Sequence, residues 1–153
     1  MAKFTIERAT IEHIEHVACY VREADVEELS AAAGITPLEA MLIGRKWSVE
    51  CWCGMADGEP ICIFGVSSAS PLSRSGHPWM VGTEHLDRLA FGFLRRSRNV
   101  VHDMLSRYDE LYNYVDARNT RAIRWLRWLG FTIMDTEPYG LCGLPFHRFE
   151  MRR

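Results

Sequence analysis

Tyr114-Val115-Asp116-Ala117-Arg118-Asn119-Thr120-Arg121-Ala122-Ile123-Arg124-Trp125-Leu126-Arg127-Trp128-Leu129-Gly130-Phe131 decides how the rest of the chain is read. The apolar run Leu111 to Val115 ends in Asp116 and predicts a strand. Asn119 stands where a side-chain oxygen can accept a free N–H of a helix start. Ile123, Leu126 and Leu129 then recur at helical spacing, and Gly130 supplies the left-handed residue that ends a helix. Phe131 to Asp135 predicts the next strand.

Working outward, Phe4 to Arg8 alternates apolar and polar residues as a strand does, and Ile11, Ile14, Val17, Ala18 and Val21 mark a helix. Asp25 to Ala33 predicts a second helix stopped by Gly34. Thr36-Pro37-Leu38-Glu39 starts a third, with Thr36 as cap, Pro37 where no N–H is needed and Glu39 able to return a hydrogen bond; it runs to about Arg45. Two strands, Trp47 to Met55 and Pro60 to Val66, flank Ala56-Asp57-Gly58-Glu59, whose Asp-Gly pair tolerates the positive φ of a tight hairpin. Ser67 to Pro78 reads as an exposed loop and Trp79 to Gly82 as a short strand. Leu89, Ala90, Phe93, Leu94, Ser97, Val100, Val101, Met104, Leu105 and Tyr108 form a helical stripe, as one helix or two. Phe146 to Met151 closes the chain as a strand. The resulting order describes an α/β fold with a mixed sheet.

The 153 residues suit a single domain, 1–153, because that length buries enough surface for one core. With 48 % hydrophobic and 25 % charged residues and a net charge of -2, composition excludes disorder, collagen-like repeats and coating of nucleic acid. No run approaches the roughly 18–20 apolar residues of a membrane helix, and MAKFTIERAT has neither apolar core nor cleavage site, so the expectation is a cytoplasmic protein without a membrane partner. Five cysteines, an odd number, suggest reduced thiols. Charge is polarised: residues 1–60 carry 11 acids and 5 bases, and residues 61–153 carry 9 acids and 13 bases.

The opening stretch resembles the C-terminal signature of the GNAT acyltransferase superfamily: a strand, Asn119 at the helix start, Ala122 three on, and Gly130-Phe131 eleven and twelve on. The element order is also similar, which implies a GNAT-like α/β fold with a mixed central β-sheet flanked by helices. A closer likeness is to small GNAT-like proteins of short-tailed bacteriophages, the internal virion protein A group. It is carried by Tyr108-Asp109, Leu111, Asn113-Tyr114-Val115, Asn119-Thr120, Ile123-Arg124, Leu126 and Gly130, with Trp79 and Val81 upstream. This resemblance implies a protein of virion assembly or of the particle, found in the host cytoplasm or the virion, with phage structural or assembly proteins as partners.

Active members of the superfamily follow the central strand with a Gln/Arg-x-x-Gly-x-Gly/Ala turn whose N–H groups hold the CoA pyrophosphate; glycine is needed because a side chain keeps the phosphate away. With Phe91-Gly92-Phe93-Leu94-Arg95-Arg96-Ser97-Arg98-Asn99-Val100 aligned to it from Arg95, Arg98 and Val100 fill both small-residue positions. The tyrosine that commonly serves as general acid seven residues after the Asn is here Leu126. No cofactor is therefore expected, and the leading reading is a non-enzymatic protein. The alternative is an acetyl-CoA-dependent N-acetyltransferase with an unusual phosphate site, in which Arg95, Arg96, Arg98 and Asn119 bind the cofactor and Glu84, or its neighbour His85, is the candidate base.

Other groupings are weighed against ordinary packing. Cys51, Cys53 and Cys62 on neighbouring strands could approach one another, but without a C-x-x-C pair they read as small buried hydrophobes, so no metal is expected. His13 and His16 sit among glutamates on a solvated helix face. Arg118, Arg121, Arg124 and Arg127 make a broad basic edge, for which the overall acidic balance argues against nucleic acid. Trp125 and Trp128, with Ile123, Leu126 and Leu129, overfill one helix face. Arg121, Arg124, Trp125, Arg127 and Trp128 are accordingly the candidate protein interface.

Overall fold

Alternating polarity and helical periodicity build the elements that the computed structural model shows for residues 2–153; the side chains of residues 90 and 91 are not described, so Ala90 of the apolar stripe and Phe91 of the aligned turn lie outside it. The order is β1 (Phe4–Arg8), α1 (Ile11–Cys19), α2 (Glu23–Ala33), α3 (Pro37–Trp47), β2 (Ser48–Ala56), β3 (Glu59–Ser67), β4 (Ser75–Gly82), α4 (Glu84–Arg107), β5 (Glu110–Asp116), α5 (Thr120–Leu129), β6 (Thr132–Tyr139) and β7 (Leu144–Arg152). They form a seven-stranded mixed sheet in the order β1-β2-β3-β4-β5-β7-β6. Among the described residues only β4 and β5 run parallel. Ile14, Val17, Met41, Cys53, Met55, Ile63 and Val81 make the core under α1 and α3, whereas Phe64, Val66, Phe93, Met104, Val115 and Ile123 belong to the core under α4 and α5.

The local signals act as expected at several ends. Asp57 and Gly58 take φ of 49° and 81° in the hairpin, and Gly34 and Gly130 end their helices at φ 64° and 106°. Thr36 accepts from the Glu39 N–H at 3.2 Å, and Asn119 Oδ1 accepts from the Ala122 N–H at 3.3 Å.

Tertiary contacts overrule other boundaries. Val21 leaves the first helix to bridge Thr83. The segment expected to be loop to Pro78 is strand from Ser75, because His77 to Gly82 pair with β3 and Ser75 and Gly76 pair with β5. Pro78 fits there because its missing N–H is on the side of β4 turned away from β3. The long stripe is one helix, α4, and β6 continues past Asp135 to Tyr139.

Candidate functional site

The sheet opens where β4 and β5 part. Their parallel pairing covers only Ser75↔Glu110 and Gly76↔Leu111. One step further, side chains span the gap: His77 Nδ1 meets the Tyr112 carbonyl at 3.2 Å, and Asn113 Nδ2 donates to the Pro78 carbonyl at 2.9 Å. Beyond them lies a cleft of about 370 Å³, the size of a small-molecule site. Its walls come from both sides of the sheet: Leu29 and Ala32 of α2, Ile43 and Gly44 of α3, Phe93, Ser97 and Val101 of α4, and Ala122, Trp125 and Leu126 of α5.

Charged groups gather at the end of the cleft near the start of α2. Buried Arg22 clamps Asp25 through Nε at 3.2 Å and Nη2 at 2.9 Å, and reaches Asp87 at 3.1 Å. Asp25 also accepts the Gly82 N–H at 2.8 Å, and Arg121 lies 3.2 Å from Asp87. Glu28 accepts the Asp116 N–H at 2.8 Å and faces Asn119 Nδ2 at 3.5 Å. Burial, with Asp25 and Asp116 nearby, pushes the Glu28 carboxyl up to about 7 against the pull of those two hydrogen bonds. Burial would raise Asp116 as well, but the Arg118 guanidinium and N–H outweigh it and hold that carboxyl below its ordinary range. Sequence reasoning missed Arg22, Asp25 and Glu28, which look like ordinary charges on a helix start.

The candidate residues do not form one site. Asn119 is buried at the cleft, but its oxygen caps α5. Leu126 lines the cleft. Glu84 is exposed in the first turn of α4, and His85 turns to Glu59 at 3.4 Å, outside the cleft lining. Arg95, Arg96 and Arg98 lie in the middle of a 24-residue helix, about 16–21 Å along its axis from Glu84. The stretch aligned to a phosphate-binding turn is thus helical, its N–H groups spent on the helix ladder. Arg98 instead stacks 3.7 Å above the Trp128 ring and donates to the Trp128 carbonyl at 3.0 Å.

The interface set also divides. Arg121, Arg124, Arg127 and Trp128 are exposed, whereas Trp125 turns inward, edge-on to Phe93, and lines the cleft. Trp125 is removed from the surface set because that face of α5 packs on α4. Among the other groupings, Cys53 and Cys62 are fully buried; burial pushes the Cys53 thiol up to about 12 and raises that of Cys62 further. Cys51 is pushed up to about 11, so all three are held as neutral thiols. His13 belongs to the cap of α1, with its Nδ1 facing the Thr10 N–H at 3.2 Å, and His16 approaches Glu59 at 3.6 Å.

A mixed sheet that splits between two parallel strands, with helices on both faces, defines the fold of the GNAT acetyltransferases, and the chain has that fold. Ard1 from Thermoplasma volcanium superposes with a TM-score of 0.72 at 17 % identity, covering 97 % of this chain and 97 % of that one. The protein smu.2055 from Streptococcus mutans UA159 gives 0.72 at 14 % identity, covering 97 % and 98 %. Aminoglycoside acetyltransferase AAC(6')-Ib, solved in complex with coenzyme A, gives 0.70 at 18 % identity, covering 99 % and 95 %. No family model matches the sequence, and no curated protein matches it. No helix among the described residues is long and apolar enough to cross a membrane.

Proposed function

We propose that the chain is a GNAT-fold protein with a degraded acetyl-CoA site, acting in bacteriophage virion assembly or structure through protein–protein contacts. The observation that carries the first half is the β4–α4 junction. A pyrophosphate at a helix start needs free N–H groups, close backbone approach and no competing negative charge. Here α4 begins directly after Thr83. The Thr83, Glu84 and Leu86 N–H groups donate to Ile61, Tyr20 and Thr83 carbonyls, and Glu84 and Asp87 place two carboxylates in the first turn. Gly82, the nearest glycine, has its N–H on Asp25. The phosphates of CoA do not fit this junction, and Leu126 offers no proton where a general acid would stand.

The second half is supported by the resemblance of Tyr108-Asp109, Asn113-Tyr114-Val115, Asn119-Thr120 and Ile123-Arg124 to phage GNAT-like proteins. It is supported further by the exposed Arg124, Arg127 and Trp128 on α5, residue types favoured at interface centres. Calorimetric titration with acetyl-CoA, paired with thermal shift, tests the site: no binding at millimolar ligand is expected, and micromolar binding with stabilisation overturns the reading. Mass spectrometry of purified particles and of assembly intermediates tests the setting; absence of the chain from both overturns it.

The second reading, an acetyl-CoA-dependent N-acetyltransferase, draws on the open cleft and on Glu28, whose carboxyl near neutral pH has the poise of a general base. It requires acyl transfer to some member of an amine panel, abolished in Glu28→Gln.

A further inference from the structure

The cleft is bordered by backbone that the rest of the molecule leaves free. Residues of β4 send their N–H and C=O alternately to β3 and away from it. Gly82 marks the outward set, since its N–H donates to Asp25 and its C=O accepts from the Arg22 N–H. Pro78 and Met80 share that direction. Pro78 has no N–H and its carbonyl is taken by Asn113, whereas both backbone groups of Met80 face the gap beyond the last β4–β5 pair. Across the gap, the Tyr112 carbonyl, Tyr114 N–H and Asp116 N–H are met by the side chains of His77, Asn113 and Glu28, and the Tyr114 carbonyl is left facing Met80's strand. The indole N–H of Trp125, on the lining, is buried without an acceptor. The open edges therefore offer donors and acceptors at strand spacing, between apolar walls.

The charged end of the cleft narrows the choice of occupant. On the lining itself the charged residues are Arg22 and Asp25, which neutralise one another as an ion pair, and Glu28, whose carboxyl is held near neutrality and spent on the Asp116 N–H. The cleft therefore offers little free charge to an ionic ligand and matches an uncharged chain of amides. We propose that an extended, uncharged polypeptide segment of a partner protein inserts between β4 and β5 as an added strand, hydrogen-bonded to Met80, Tyr114 and Trp125. Strand addition takes its affinity from main-chain hydrogen bonds and its selectivity from side-chain pockets. The proposal rests on the reading above in one respect, that CoA is not held here.

The full chain is titrated with acetyl-Val-Ala-Val-Ala-amide, with pantetheine and with CoA, by calorimetry and amide hydrogen exchange. Peptide binding that slows exchange at the Met80 amide at least tenfold, without competition from CoA, is the expected result. Trp125→Phe keeps the ring against Phe93 and removes the donor, so the peptide should bind roughly 2–10-fold more weakly, the worth of one hydrogen bond. Failure of the peptide to bind at millimolar concentration, or binding that leaves Met80 exchange unchanged, overturns the inserted strand. Pantetheine binding where the peptide does not also overturns it. Micromolar CoA binding overturns this proposal together with the degraded site, whereas silence from all three ligands removes the inserted strand alone.

Discussion

Replacing Asp25 by alanine should be among the most destabilising single changes in this protein. Asp25 is 4 % exposed and Arg22 7 % exposed, so neither charge is solvated by water. The carboxylate accepts from Arg22 Nε and Nη2 and from the Gly82 N–H, tying the α1–α2 connection to the end of β4. Removing it leaves a buried guanidinium with only the Asp87 contact at 3.1 Å, and a Gly82 N–H with no acceptor. Breaking one side of a buried ion pair costs about 3–5 kcal/mol, because the surviving charge has lost its solvation without gaining a partner. For a domain of this size each kcal/mol moves Tm by about 2–4 °C, so a fall of roughly 6–20 °C is expected. Urea unfolding followed by tryptophan fluorescence measures the loss directly, as a lower midpoint at unchanged slope. A change below about 1 kcal/mol would refute the reasoning, since it would mean that water reaches Arg22 in the folded state.

Other perturbations probe the cleft and the surface. Glu28 has a folded-state pKa raised to about 7, above its unfolded value, so its folded form holds the proton longer and stability falls as pH rises from about 4.5 to 7. Glu28→Gln keeps an acceptor for the Asp116 N–H and should erase that slope, gaining up to about 3 kcal/mol relative to the parent at pH 8 over pH 4; parallel curves would contradict the assignment. At Gly44 a Cβ would stand 2.5 Å from the Trp79 ring, which is tethered through Nε1 to Ser48 Oγ at 2.9 Å. Gly44→Ala should therefore cost about 1–3 kcal/mol by denaturation despite alanine's better helix propensity, and a stabilised variant would show that the indole moves aside. Trp128→Ala removes a half-exposed ring under Arg98 and should change stability by about 1 kcal/mol or less, while the proposed virion role requires it to weaken association with particle proteins; a large loss of stability would place Trp128 in the core instead.

Much of the fold was legible because its signals are local. The Asp57-Gly58 hairpin, the Thr36 and Asn119 caps and the Gly34 and Gly130 stops each depend on residues within a few positions of one another, and each acts in the structure as its chemistry requires. The start of β4 was not legible. Ser75-Gly76-His77-Pro78 has the composition of a loop, and only pairing with β3 on one side and with β5 on the other makes it strand. The candidate phosphate turn was misplaced for a related reason: a run of arginines gives no sign of where a helix begins, and the β4–α4 junction set that beginning at Glu84.

By itself the sequence determined the element order, the two-faced helices and the signature around Asn119, since periodicity and capping are properties of neighbouring residues. Only the tertiary structure decided what those elements enclose. Glu28 meets Asp116 and Asn119 across 88 and 91 positions, Arg22 meets Asp87 across 65, and Asn113 meets Pro78 across 35. Burial of a charge, the poise of a carboxyl and the parting of two strands depend on which distant residues share a low-dielectric space, and no local pattern records that.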